Sequence, residues 1–170
     1  MNHGRRGIAV IFNNEKFKDD KLKQRVGAAE DGRELYDTLK GIGFDVRLYN
    51  DKKLDDMWEV INKVAKEDHT NHDCLLVAFM THGEDNDYLF ATDYTFKIDE
   101  VVERFKSDRV PSLAGKPKIF LIQACRGKKM DESAQSLKHA RISETADPEP
   151  PRYFSLPTTA DLLFLYSSMK

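Results

Sequence analysis

The sequence predicts an α/β fold: a mostly parallel twisted sheet with helices on both faces and one edge left incomplete. Three observations predict it. Cys74–Met80 (CLLVAFM) and Ile119–Ile122 (IFLI) are uninterrupted apolar runs of strand length, the pattern of strands covered on both sides. Segments with apolar residues at helical spacing separate the runs, and strands that alternate with helices pair in parallel through right-handed crossovers. A last strand-like run, Asp161–Tyr166 (DLLFLY), stands four residues before the end of the chain, so the sheet is expected to lack whatever covers that strand.

Taken in order, Gly7–Phe12 (GIAVIF) is apolar enough to be a central strand. The polar stretch 13–23 holds neither GxGxxG nor GxxxxGK[ST], which argues against the dinucleotide and phosphate-loop sites common in this fold class. Over Val26–Ile42, the residues Ala28, Leu35, Leu39 and Ile42 share one helical stripe with Tyr36 beside it, and Gly41 and Gly43 mark its end. Phe44–Tyr49 alternates, as an edge strand does. Asn50 or Asp51 is expected to cap the next helix, whose Leu54, Met57, Trp58, Ile61, Val64 and Ala65 repeat at helical spacing. Trp58 on that stripe is expected in the core. Glu84–Asp87 reads as a solvated acidic loop, Tyr88–Phe90 with Tyr94–Phe96 as a small hairpin, and Ile98, Val101, Val102 and Phe105 as a third helical stripe. The strand over 117–122 comes next. His3, His69, His72 and His139 stand among polar neighbours and read as solvated. Residues 128–157 carry four prolines, many charges and little apolar periodicity, the composition of a mobile linker.

Composition narrows the function classes. With 170 residues, 40% hydrophobic and 33% charged, the chain fits one soluble domain. A net charge of −2 gives no reason to expect nucleic acid or a membrane surface as partner. The longest apolar stretch near the N-terminus is too short for a signal-peptide core or a bilayer span. Two cysteines do not make a disulfide framework, so a reducing, cytoplasmic location is expected. Neither a cofactor nor a metal is expected.

The chemistry is expected at two strand ends. In an open α/β sheet, ligands bind just outside the carboxyl ends of the strands. The 117–122 strand runs into Gln123, Cys125 and Arg126, and the 74–80 strand into Thr81, His82 and Gly83. If the two strands are parallel neighbours, the thiol of Cys125 meets the imidazole of His82, the arrangement that yields a thiolate nucleophile near neutral pH. Cys74, inside an apolar run, is expected to be inert.

At Gln123-Ala124-Cys125-Arg126-Gly127 a family resemblance becomes specific. This pentapeptide, with a histidine 43 residues upstream, resembles the active-site signature of caspases. Ile11–Phe17 (IFNNEKF) is similar to that family's first strand and loop. Gln24-Arg25-Val26-Gly27 is similar to its arginine-bearing helix start, and Met80-Thr81-His82-Gly83 to its histidine–glycine turn. Ala160–Tyr166 is similar to the first strand of its small subunit, and the whole looks closest to the effector-type members.

The resemblance implies a caspase-like fold divided into a large-subunit core (1–127), an intersubunit linker (128–157) and a truncated first strand of the small subunit (158–170). It implies a cysteine endopeptidase, made as a zymogen, that cleaves proteins after aspartate in programmed cell death. Cys125 would be the nucleophile, His82 the base, and Gly83 part of the oxyanion hole. Arg25 and Gln123 would line the aspartate pocket, and the carbonyl of Lys23 would orient the histidine. Processing would occur after Asp131, Asp147 or Asp161, although Pro148 makes Asp147 a poor site. Implied partners are protein substrates, a small subunit of the same or a related caspase in a homodimer or heterotetramer, and inhibitor proteins. A second arginine, the strand completing the sheet and the dimer interface would lie after Lys170, so the chain alone is expected to be inactive. The alternative is a truncated homologue that acts as a non-catalytic decoy by binding; an unrelated doubly wound binding domain is a third reading.

Overall fold

The structure is a computed structural model and describes residues 3–84, 87–124 and 160–167. Among these, five strands form an all-parallel sheet: β1 (Arg5–Asn13), β2 (Phe44–Asn50), β3 (His72–Met80), β7 (Lys118–Gln123) and β8 (Leu162–Ser167), in the order β2-β1-β3-β7-β8. The sheet agrees with the fold expected from the apolar runs. The Gly7–Phe12 run is central and the alternating 44–49 segment is an edge, as their patterns require.

Helix α1 (Ala28–Gly41) covers one face, where Leu39 packs with Ala9, Ile11, Leu76, Ala78 and Met80. Helices α2 (Leu54–Ala65) and α3 (Ile98–Arg104) cover the other, where Met57, Ile61, Val64 and Val101 meet Ile8, Val10, Phe12, Val77, Phe79 and Phe120. Each large apolar side chain buried this way contributes about 1.5–3 kcal/mol. Every residue of β3 is buried, the polar His72 and Asp73 at its start included, and its apolar run Cys74–Met80 faces both core clusters. Trp58 is half-buried against this core, edge-on to Phe96 and under the guanidinium of Arg104. A second, antiparallel sheet joins β4 (Gly83–Glu84), β5 (Tyr88–Phe90) and β6 (Thr95–Lys97). The expected hairpin is therefore present, with one more strand than the sequence pattern showed.

Several local expectations are corrected. Arg25 and Val26 precede α1: Gly27 turns the chain at φ 90, a conformation that favours glycine, and the helix begins at Ala28. Ile42, placed on the α1 stripe by spacing, is 54% exposed beyond the helix end. Neither Asn50 nor Asp51 caps α2. Its first amide, Leu54 N–H, donates instead to Asp93 Oδ1 at 2.8 Å. His69 and His72 are buried rather than solvated. His69 Nε2 donates to the Val64 carbonyl at 2.9 Å, and the two Nδ1 atoms lie 3.2 Å apart, so the histidines satisfy each other. The fully buried Lys118 amine donates to the carbonyls of Leu113 and Lys116. Burial pulls its pKa down.

Strand β8 lies outermost among the described residues. Its Leu162 and Phe164 pack inward, Phe164 stacking on Phe120, while Leu163 and Leu165 are 47% and 46% exposed. Among the described residues the edge beyond Asp161–Tyr166 is thus open, as expected.

Candidate active site

The sheet register puts the ends of four strands in one row: Asn50 beside Asn13, Asn13 beside Met80, and Met80 beside Gln123. The residues immediately after these four lie at the carboxyl edge, where a site is expected. The turn after β3 is fixed from both sides. Thr81 N–H donates to the Gln123 carbonyl at 3.1 Å, Thr81 Oγ1 to the Phe90 carbonyl at 2.6 Å, and Phe90 N–H to the His82 carbonyl at 3.0 Å. Gly83 then enters β4, opposite Leu89.

His82 is half-buried, and its Nε2 lies 2.7 Å from the Lys23 carbonyl. A carbonyl only accepts, so Nε2 carries the hydrogen and the neutral ring keeps its lone pair on Nδ1. The Lys23 carbonyl is the orienting group that the family resemblance implied. Phe17 lies against the ring, centroids 4.8 Å apart. The imidazole is held on one edge and one face, which leaves Nδ1 as its acceptor nitrogen.

Arg25 is 4% exposed. Its Nη1 donates to Asn13 Oδ1 at 3.2 Å and to the carbonyls of Asn14 and Met80, both at 2.8 Å. The guanidinium is therefore docked on the ends of β1 and β3. Asn13 in turn donates to the carbonyl of Ala28, the first residue of α1. Gln123 ends β7 on the same sheet face as Leu121 and Ile119, the α1 face, one strand from the Met80 carbonyl that Arg25 holds. The structure thus brings Arg25, His82, Gly83 and Gln123 to one edge.

The remaining site expectations fall differently. Cys125, Asp131 and Asp147 lie outside the described residues. Asp161 occupies the turn before β8 at φ 64, where its carbonyl accepts the Lys118 amide at 2.8 Å. A small pocket beside Gly83 is lined by Glu84, Tyr88, Leu89, Ile122, Ala124 and Tyr166. Sequence reasoning missed the roles of Asn13, Asn14 and Phe17. Two asparagines at the end of an apolar strand carry the same signal that singled out His82, a polar group where packing needs none. Cys74 is buried as expected, and burial pushes its thiol pKa up.

Comparison with known proteins gives a consistent answer. A profile of the caspase domain matches residues 6–170. Caspase-1 of Drosophila melanogaster is 42% identical over 169 residues, covering 99% of this chain and 51% of that protein. Caspase-6 of Gallus gallus is 38% identical, covering 98% and 57%. The chain superposes on the crystal structure of caspase-1 from Spodoptera frugiperda with a TM-score of 0.79 and 37% identity, covering 99% of this chain and 62% of that one. It spans about half the length of the curated relatives it matches. With a parallel sheet, a His82–Lys23 clamp and a docked Arg25 at the strand ends where the sequence places its signature motifs, this chain belongs to the caspase family.

Proposed function

We propose that this chain supplies the nucleophile and base of a cysteine endopeptidase that cleaves proteins after aspartate and becomes active once completed by a small subunit. The observation that supports it best is the His82–Lys23 hydrogen bond, because it leaves Nδ1 as the basic nitrogen at the carboxyl edge of β3. Cys125 comes after β7, the parallel neighbour of β3, two residues past Gln123.

In this reading His82 Nδ1 takes the thiol proton of Cys125, and the thiolate attacks the carbonyl carbon of the scissile peptide. The carbonyl oxygen, now negative, takes hydrogen bonds from the backbone amides of Gly83 and Cys125. Collapse breaks the C–N bond, the leaving amine takes the proton from His82 Nδ1, and an acyl-enzyme remains. Water then attacks the thioester, giving its proton to Nδ1, and the thiolate departs. Arg25, with Gln123, holds the aspartate carboxylate; a guanidinium recognises a carboxylate in two parallel hydrogen bonds.

Family membership supports a zymogen role in programmed cell death, with Asp131, Asp147 and Asp161 as the processing candidates. It also supports a division into a large-subunit core (1–127), a linker (128–157) and the start of a small subunit (158–170). Partners on this reading are protein substrates, a small subunit in a dimeric or heterotetrameric assembly, and inhibitor proteins. Among the described residues no helix is long and apolar enough to cross a membrane; a cytoplasmic location is part of the proposal.

The test is to assay residues 1–170 on an aspartate-containing fluorogenic peptide, alone and after refolding with the small-subunit polypeptide of a related caspase. The expected result is activity only in the mixture, abolished by Cys125→Ala. Caspase-like turnover by the chain alone overturns the need for completion. A folded mixture that binds the small subunit without turnover decides for a decoy.

A further inference from the structure

We propose that Asp51 is a positioning residue for this site: its carboxylate fixes the loop that clamps His82 and carries Arg25. The proposal rests on the reading of His82 as the base. By sequence, Asp51 belongs to the next helix. By structure its carboxylate turns the other way, because Asp93 takes the Leu54 amide. Asp51 sits just past β2 at φ 48, its N–H donating to the Asn13 carbonyl at 3.1 Å. Its Oδ1 accepts two successive backbone amides, Glu15 N–H at 2.7 Å and Lys16 N–H at 2.9 Å. Two amides on one carboxylate oxygen are charge-assisted hydrogen bonds, roughly twice as strong as neutral ones.

Both consequences of that grip arrive at His82. Glu15 ties the start of the loop to its end: the Glu15 carbonyl accepts Arg25 N–H at 3.0 Å, and Glu15 Oε1 accepts Gln24 Nε2 at 2.5 Å. Lys23, whose carbonyl holds His82 Nε2, directly precedes that pair. On the other side, Lys16 is followed by Phe17, the ring against the imidazole face. Edge and face of the imidazole are therefore held by opposite ends of one polar loop, and a single carboxylate pins the point from which both run. Lys18 N–H donates to the Thr92 carbonyl at 2.7 Å outward of Phe17, and at the Lys23 end the Arg25 guanidinium docks on the Asn14 and Met80 carbonyls, so the Asp51 grip acts together with these anchors.

Two substitutions separate this role from plain stability. Asp51→Gly removes the acceptor and suits the left-handed backbone; Asp51→Asn keeps an acceptor oxygen and tolerates the same φ. In the 1–170 chain, long-range 1H–15N spectra report which imidazole nitrogen of His82 carries the hydrogen, and exchange rates report the Glu15 and Lys16 amides. Asp51→Gly is expected to turn the single Nε2–H form into a tautomer mixture and speed exchange at both amides by about tenfold or more, while Asp51→Asn stays near wild type. In the completed enzyme kcat is expected to fall by about tenfold or more in Asp51→Gly and to be largely rescued in Asp51→Asn. Unchanged His82 tautomers and kcat in Asp51→Gly, whatever its thermal midpoint, overturn the proposal, as does an Asp51→Asn as impaired as Asp51→Gly. Should Asp51→Gly not fold, the wild type decides: fast exchange at Glu15 and Lys16, or a hydrogen on His82 Nδ1, overturns it. The spectra need no turnover. A completed enzyme that is inactive while Asp51 still governs the His82 tautomer sinks the protease reading and leaves the positioning role standing.

Discussion

Arg25 Nη1 donates to the Met80 carbonyl at 2.8 Å, across 55 residues of sequence. The residue assigned to hold a substrate carboxylate thus also closes the end of the strand that delivers His82. Arg25→Ala is expected to lose far more aspartate-peptide turnover than a surface arginine variant. It is also expected to lower stability by about 1–3 kcal/mol, since the carbonyls of Asn14 and Met80 lose a charged donor. Urea titration and kcat/KM on matched peptides measure the two effects. The family resemblance alone placed Arg25 in the pocket; its burial adds the structural half of the cost.

Asparagine in place of aspartate before the cut is expected to lower kcat/KM of the completed enzyme by about 10³-fold or more, because a neutral amide cannot accept the two parallel charge-assisted hydrogen bonds that a guanidinium gives a carboxylate. Equal cleavage after the two residues would remove Arg25 and Gln123 from the pocket.

The two cysteines are expected to separate sharply under native alkylation. Cys74 is about 1% exposed and its thiol is pushed toward the neutral form by burial. Iodoacetamide at neutral pH should label Cys125 and spare Cys74 until denaturant is added, which peptide mass spectrometry reads directly. Labelling of Cys74 at a comparable rate would mean that β1 and β3 open readily.

Acid is expected to weaken the fold before the carboxylates titrate. The pKa of His72 is lowered first by desolvation, then by the neighbouring His69, Arg5 and Lys116, with Glu67 opposing. A folded-state pKa below the unfolded value of about 6.5 means that the unfolded chain binds the proton first, so stability rises with pH through that region. This contribution is complete above about pH 6.5 and is lost as the pH falls toward the folded value. The thermal midpoint should drop between about pH 7 and pH 5.5, and His72→Asn, which keeps a donor toward His69 Nδ1, should flatten the drop. An equally steep profile in that variant would assign the effect elsewhere.

Gly7 sits at φ 136, and a methyl group built there would lie 1.8 Å from the Cys74 carbonyl oxygen. Gly7→Ala is therefore expected to destabilise by about 3 kcal/mol or more, combining backbone strain with a backbone clash. Gly41→Ala, with no atom within 4 Å of the added methyl, is the control, and chemical denaturation compares them.

How much of the fold was legible in the sequence depends on where the information is stored. Parallel strands buried on both faces write themselves as runs such as CLLVAFM, so the sheet was readable, while the adjacency of β3 and β7 stood only as a condition that the register meets. His82 and Gln123 stood out because they follow or end such runs, whereas Arg25 entered the candidate site only through the family resemblance. Pairings made across the fold were not readable. His69 and His72 stand among polar neighbours in sequence, yet burial is possible because each satisfies the other and Val64 supplies a carbonyl. Leu54 finds its capping group in Asp93, 39 residues away, which no local pattern encodes. Asp51 looked like a helix cap by position; its carboxylate instead binds a loop that precedes it by 35 residues.

The interior place of β1, between β2 and β3, has a consequence for synthesis. It is made before both of its partners, β2 and β3, which end at Asn50 and Met80. A ribosome adding about 5–20 residues per second leaves GIAVIF with an unpaired edge for several seconds. Six consecutive residues of this kind, uncharged and free of proline, are the composition that nucleates cross-strand aggregates. Arg5 and Arg6 directly before it, and the lysines of 16–23 shortly after, are placed as charged gatekeepers would be during that interval. Removing them should cost nascent-chain solubility more than it costs the finished fold.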